Sequence, residues 1–137
     1  MAHQRFRKYN TKDIYAGDAP DYDLATAVRA GNSIWLRGQT GLDFDGNFIG
    51  AGDPAAQAEN AMYCIDILLR EAGGSLDDIV KTTIYLIERD HRRPVYNVVA
   101  KWLKGVFPCQ TGLIVAGLAT EEMLVEIDVE AVVQDDD

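Results

Sequence analysis

The chain has 137 residues, of which 47% are hydrophobic and 26% charged, a composition typical of one globular domain with one core. Its formal net charge of -9 argues against nucleic-acid and anionic-membrane partners, because both bind through clustered Lys and Arg side chains. No apolar run approaches the roughly 20 residues that span a bilayer, and the basic N-terminus lacks the apolar region of a secretory signal. We therefore expect a cytoplasmic protein.

The first third of the chain predicts a β-hairpin. The segments ATAVRAG and SIWLRG flank Gly31-Asn32, a pair typical of two-residue turns between antiparallel strands. The N-terminal segment RFRKY is a candidate for an additional strand. Residues 41–53 are rich in Gly and Asp and predict a loop.

A long helix follows this loop. Asp53 is its predicted N-cap, Pro54 occupies its first position, and Gly73-Gly74 ends it. Apolar residues recur at alternating steps of three and four, which predicts one stripe that faces the core. The stripe consists of Ala55, Ala58, Met62, Ile65, Leu69 and Ala72.

The second half of the chain predicts a strand at 79–88, a helix at 89–107 that ends before Pro108, and strands at 109–119 and 123–133. The predicted buried side of the helix carries Val95, Val98, Val99 and Trp102. The last strand alternates strictly, with Val125, Ile127, Val129, Ala131 and Val133 on one face. The order predicts an α+β fold in which two helices pack on one face of a mixed sheet.

The other face of such a sheet has no helix to cover it. The segments LIVAGL and SIWLRG place apolar side chains on both faces of the sheet, and an exposed apolar face favours association. Copies of the same chain are the simplest partner, and a closed ring of copies would form clefts between subunits.

Three segments together resemble the Rid (reactive intermediate deaminase) or YjgF family: AVRAGNSIWLRGQTGLD with its Gly38-Gln39 pair, GGSLDDIVKTTIYL, and LVEIDVEAV. The resemblance implies a single chorismate-mutase-like domain over 1–137, with its core at about 24–133. It also implies a homotrimer with a small-molecule cleft at each subunit interface. Deaminating members hydrolyse enamines and imines released by pyridoxal-phosphate enzymes, and they use no cofactor or metal.

The resemblance also assigns the main site residues. Glu126 matches the family glutamate that positions water, which makes it the candidate catalytic residue; alternatively it is one of three acids on a polar strand face. Gln110 stands where classical members carry an arginine that clamps the substrate carboxylate, and a neutral amide binds a carboxylate more weakly. Gly38 either lets a ligand approach the backbone or marks a bulge.

Further candidate binding positions depart from the family pattern. Leu24 replaces a tyrosine, Tyr96 an asparagine and Gly112 a cysteine, while Cys109 is either a reactive thiol or simply a small residue after a proline. Cys64 lies in an apolar helical run and is expected in the core.

The lost arginine raises the question of a substitute. Arg37, Arg92 and Arg93 are candidates to replace it, and the alternative for each is an exposed cation.

Two functions follow as hypotheses. The first is a Rid-like hydrolase or deaminase that acts on a small enamine, imine or related metabolite at the intersubunit clefts. The second is a non-catalytic regulatory trimer that binds a small metabolite. A third, the ribonuclease activity ascribed to some L-PSP-like relatives, is disfavoured by the acidic charge. The cysteines lack CxxC spacing and the histidines are isolated, so no metal site is expected.

Overall fold

The computed structural model describes residues 2–135, and Met1, Asp136 and Asp137 lie outside them. Its centre is a six-stranded mixed sheet in the order β1-β2-β3-β6-β4-β5, in which β4 and β5 are the parallel pair. The strands are β1 (Gln4–Asn10), β2 (Asp23–Ala30), β3 (Ser33–Leu36), β4 (Ile79–Leu86), β5 (Cys109–Ile114) and β6 (Val125–Val132), and the helices are α1 (Thr11–Ile14), α2 (Pro54–Glu71) and α3 (Arg92–Trp102). Short 3-10 turns occupy Leu76–Asp78 and Arg89–His91.

The predicted hairpin is confirmed as β2 and β3. Gly31 has a φ of +59° in the turn, a conformation that glycine adopts without steric cost. The suggested N-terminal strand is also present, as β1 paired with β2. One element was not predicted, because α1 is a single turn and too short for periodicity. Its cap is Asn10, whose side chain accepts a hydrogen bond from the Lys12 backbone N–H at 2.9 Å.

Helix α2 begins and ends as its sequence predicts. The Asp53 side chain accepts a hydrogen bond from the Ala56 N–H at 3.1 Å, and Gly73 follows the helix with a φ of +85°. The apolar stripe is buried except for the half-buried Ala55, and the buried face is wider than predicted. It also includes Gln57, Ala61, Cys64 and Leu68.

Buried Gln57 joins α2 to the start of β6. Its amide nitrogen donates to the carbonyl oxygens of Gly50 and Glu122 at 3.0 Å, and its side-chain oxygen accepts from the Leu124 N–H at 2.8 Å. A buried amide that makes all these bonds is favourable, because none of its polar atoms is left without a partner. The bonds fix the position at which β6 enters the sheet.

Helix α3 and strand β5 are shorter than predicted. The helix ends at Trp102 rather than 107, because Gly105 and Phe107 adopt positive φ values of 83° and 58°. Val95 and Val99 are buried as expected, whereas Val98 and Trp102 are half-buried. Strand β5 ends at Ile114 rather than 119.

The two faces of the sheet differ in their covering. Helix α2 packs against β3, β6 and α3, and the alternation of β6 is confirmed, with Val125, Ile127, Val129 and Ala131 buried on that side. The opposite face, called the open face below, carries Glu126, Asp128 and Glu130. It also exposes Trp35 and Leu113, at 45% and 44% of their full surface. The uncovered face predicted from the sequence is therefore present in the single chain.

Candidate functional site

The larger of two notable cavities opens at the end of β3 beside β6. We call it the glutamate cavity, with a volume of about 510 Å³. Strands β1, β2 and β6 and the loop after β3 contribute to its wall. The side chains that define its chemistry are Tyr9, Arg37, Phe44 and Glu126, together with the bare backbone of Gly38.

Backbone pairing positions Glu126 against Gly38. Gln39 and Ile127 exchange two hydrogen bonds of 2.8 Å, so the glycine is held beside the strand that carries the glutamate. A Cβ atom on Gly38 would clash with the carboxylate and lie 2.7 Å from Cδ and 2.8 Å from Cγ of Glu126. A side chain at position 38 would therefore displace the Glu126 carboxyl group from the position that it occupies.

The carboxyl group of Glu126 is partly withdrawn from water. Burial raises its pKa above the ordinary value, the positive charge of Arg37 lowers it in part, and the negative charge of Asp128 raises it further. Burial also raises the pKa of Asp128, and the charge of neighbouring Glu130 adds to the shift. A carboxylate with a raised pKa is a better proton acceptor at neutral pH than an ordinary glutamate.

Arg37 lies in the same cavity within a frame of aromatic rings. Its guanidinium donates a hydrogen bond to the Tyr15 hydroxyl, and its central carbon lies 5.0 Å from the Tyr9 ring centre and 6.0 Å from that of Tyr15. Among residues 2–135, no carboxylate oxygen lies within 4.0 Å of this guanidinium.

The second cavity, called the β5 groove below, lies on the helix-covered side of the sheet edge and has a volume of about 410 Å³. Gln110 lines it, and its side-chain oxygen accepts a hydrogen bond from the Thr82 hydroxyl at 3.1 Å. Tyr96 lines it as well, and its hydroxyl rests on Gly112, where a Cβ would lie 3.1 Å from Cζ of the tyrosine. Exposed Phe107 completes the wall.

The structure brings the predicted site residues together in two groups rather than one. Glu126, Gly38 and Arg37 share the glutamate cavity, whereas Gln110 and Tyr96 line the β5 groove and Gly112 lies against Tyr96. The pairing of β4 explains the separation, because Gln110 is beside buried Thr82, whereas Glu126 is beside Tyr85 on the open face. Within one chain, the two groups therefore lie on opposite faces of the sheet.

The remaining predicted positions lie at the margins. Half-buried Leu24 pairs with Tyr9, which lines the glutamate cavity. Cys109 is exposed and precedes Gln110, so strand alternation turns it away from the β5 groove. Arg92 lies 5.7 Å from the Tyr96 ring centre, on the β5 groove side. Arg93 is exposed at the start of α3.

The sequence interpretation missed four residues of the glutamate cavity and its surroundings: Tyr9, Tyr15, Phe44 and Asp128. Asp128 had a usable signal, because strand alternation places it on the same face as Glu126. The aromatic residues had none, because β1 and the loop after β3 reach the cavity only through the tertiary fold.

Other chemical groups in the described part of the chain do not form a second centre. Residues 2–135 contain no group of three His, Cys, Asp or Glu side chains that could hold a metal ion. Cys64 is in the core as expected, and burial raises the pKa of its thiol to about 11. No helix in this region combines the length and apolar character needed to cross a membrane.

Comparison with known proteins identifies the family. The profile described as Endoribonuclease L-PSP matches residues 18–133. A RutC family protein of Pyrococcus abyssi is 30% identical over 74% of this chain and 80% of its own length. The human protein named 2-iminobutanoate/2-iminopropanoate deaminase is 28% identical over 77% of this chain and 75% of its own.

A solved structure has the same fold. A member of the YjgF/YER057c/UK114 family from Mycobacterium tuberculosis superposes with a TM-score of 0.72 at 33% identity, over 80% of this chain and 86% of that one. The α+β fold and the family resemblance inferred from the sequence are thereby confirmed. The chain belongs to the Endoribonuclease L-PSP family, within the Rid/YjgF superfamily.

Proposed function

We propose that this protein is a Rid-type hydrolase that deaminates a small enamine, imine or related metabolite, with Glu126 as its catalytic residue. The observation that carries the proposal is the position of Glu126: a partly buried carboxylate with a raised pKa, held against the bare backbone of Gly38 in a cavity of about 510 Å³. The name of the human deaminase relative supports the same class of reaction.

The reaction requires only one ionisable group from the protein. Water attacks the carbon of the protonated imine, a C–O bond forms, and ionised Glu126 accepts a proton from that water. The carboxyl group then returns the proton to the nitrogen of the tetrahedral adduct. The C–N bond breaks as the adduct hydroxyl loses its proton to the regenerated Glu126 carboxylate, which forms the carbonyl product, and that proton leaves with ammonia as ammonium. The cavity contributes by holding water and imine carbon at reaction distance.

We further propose that the complete site forms between subunits of a homotrimer in the cytoplasm. Every residue of β5 is exposed in the protomer, and the open face presents Trp35 and Leu113 to solvent. Docking of a second copy would bury these apolar groups. In the proposed trimer, the predicted site residues around β5 of one copy lie near those of the glutamate cavity of another. The first set is Gln110, Tyr96, Gly112 and Cys109, and the second is Glu126, Gly38, Arg37 and Leu24. Light scattering tests the trimer, because a mass equal to one chain would contradict it.

Turnover by matched variants tests the catalytic role. The measurement is ammonia release from a panel of charged and neutral imines generated in solution. Glu126→Gln should lower the rate by about 100-fold or more, the usual contribution of a general base. Glu130→Gln, which removes the same charge from an exposed position two residues beyond Asp128, should retain activity.

Two outcomes would count against this proposal. Equal rates for wild type and Glu126→Gln would remove the glutamate from the mechanism. Absence of turnover across the panel, together with a metabolite that raises the melting temperature by mass action, would support the non-catalytic binding trimer instead. The ribonuclease activity in the family's name is not part of the proposal, since a net charge of -9 disfavours RNA binding.

A further inference from the structure

We infer that Arg37 is the anion-binding residue of the glutamate cavity and that it receives a carboxylate of the ligand beside Tyr9 and Tyr15. This inference rests on the proposed function, because it describes how the same cavity would hold the molecule that reacts at Glu126. It assigns carboxylate recognition to the protomer that carries Glu126, through a residue of the β3 end rather than through β5.

The charge of Arg37 is available to a ligand, whereas that of the other cavity arginine is not. Arg7 also lines the cavity, but its guanidinium makes two hydrogen bonds to Glu71, of 2.9 and 2.6 Å, and lies 3.9 Å from the Phe44 ring centre. Arg37 donates to the Tyr15 hydroxyl, and no carboxylate among residues 2–135 forms an ion pair with it. A guanidinium has five N–H donors, so donors remain for a second partner.

Contacts within the chain also hold Arg37 in place. Its backbone N–H donates to the Thr26 carbonyl at 2.8 Å, which continues the β2–β3 pairing. The rings of Tyr9 and Tyr15 flank its guanidinium. A guanidinium that is already held in place can form two parallel hydrogen bonds with a carboxylate while losing little side-chain freedom.

The arrangement of the two opposite charges leaves room for a ligand and orients it. Arg37 and Glu126 line one cavity and their charges interact, yet their charged atoms are more than 4.0 Å apart. An anionic ligand is repelled by ionised Glu126 and attracted by Arg37. Its carboxylate should therefore lie at the Arg37 end, with the rest of the molecule directed towards Glu126.

Calorimetric titration with a charged and a neutral probe tests this assignment. The probes are 2-oxobutanoate, the ketone that would result from hydrolysis of 2-iminobutanoate, and 2-oxobutanamide, which has a similar shape but no charge. Arg37→Gln should weaken 2-oxobutanoate binding by about tenfold or more, as expected for loss of a charge-assisted hydrogen bond. Binding of the amide should change little. Arg70→Gln removes the same charge from the exposed surface of α2 and should bind both probes as wild type does.

Three results would overturn the inference: failure of 2-oxobutanoate to bind the wild type, equal binding of acid and amide, or unchanged acid binding by Arg37→Gln. If circular dichroism shows that Arg37→Gln does not fold, Arg37→Lys replaces it. Arg37→Lys keeps the charge but lacks the paired N–H donors of the guanidinium, so it should still bind the acid several-fold more weakly than wild type. Wild-type affinity for the acid would overturn the inference. Ammonia release is measured separately, so Arg37-dependent binding without turnover would refute the proposed function alone.

Discussion

The glutamate cavity and the β5 groove share one local feature, a glycine that lies against a polar side chain, but they contain different chemical groups. In each, a glycine makes space for a polar side chain: Gly38 for Glu126, and Gly112 for Tyr96. The first cavity contains a partly buried acid and an arginine, whereas the second contains neutral hydrogen-bonding groups and an exposed phenylalanine. The difference indicates that proton transfer belongs to the first cavity and that the second contributes shape and neutral contacts.

Adding one methyl group to each glycine should separate these roles most strongly. Gly38→Ala displaces the Glu126 carboxylate and should lower kcat by about tenfold or more, since a misplaced catalytic group loses much of its effect. Gly112→Ala displaces the Tyr96 ring and should act mainly on KM. Steady-state kinetics of folded variants checks both. A larger loss of kcat in Gly112→Ala would reverse the assignment of the two cavities.

Removing the charge of Asp128 tests whether that charge contributes to the raised pKa of Glu126. The negative charge of Asp128 contributes to the raised pKa of Glu126, so Asp128→Asn should lower that pKa. The acidic limb of the kcat/KM profile should then move to lower pH. Glu130→Gln, whose charge is not among the causes of the Glu126 shift, should move the limb less. A shift to higher pH in Asp128→Asn would refute this coupling.

The partly buried acid should also affect stability. A raised pKa in the folded state means that folding favours protonated Glu126, so its stabilising contribution is complete below about 4.5 and is lost as pH rises through the raised pKa. Glu126→Gln should therefore gain melting temperature relative to wild type as pH rises from 4 to 8. A difference that stays constant with pH would show that ionised Glu126 is not destabilised by burial.

The smallest effect on stability is expected for the ion pair of Arg7 and Glu71 at the rim of the same cavity. Its pH dependence has the opposite sign to that of Glu126. The hydrogen bond from Arg7 lowers the pKa of Glu71, more than burial raises it. The pair is stabilising above the ordinary glutamate pKa and loses its effect as pH falls through the lowered value. Because both side chains are more than a third exposed, Glu71→Gln should cost less than about 1 kcal/mol at pH 7. Denaturant titrations at pH 7 and pH 3 check this cost and its decrease in acid; a larger cost at pH 3 would contradict it.

The sequence predicted the fold correctly where a single hydrophobic repeat dominated an element. The alternation of β6 and the three-and-four spacing of α2 identified Ile127 and Met62 as core residues, because burial on one face imposes these repeats. The end of α3 was misjudged because the stop signal of Gly105 was overlooked, whereas the positive φ of Phe107 has no signal in a residue of that type.

The site was less predictable than the fold. Arg37, Gly38 and Glu126 were identified, and they share a cavity. The opposite placement of Gln110 was not foreseen, because it depends on the register between β4 and β5, which pairs Gln110 with Thr82. The aromatic frame of Arg37 comes from Tyr9 and Tyr15, which are distant in sequence and carry no pattern that links them to β3.

The most direct test of the account is the pH dependence of kcat/KM for wild type and Glu126→Gln on one imine, after subtraction of the uncatalysed rate. We expect the wild-type rate to fall in acid around a pKa above the ordinary glutamate value, because burial raises the pKa of Glu126, and we expect Glu126→Gln to lose both the rate and this dependence. The same acidic limb and the same rate in both proteins would contradict the account.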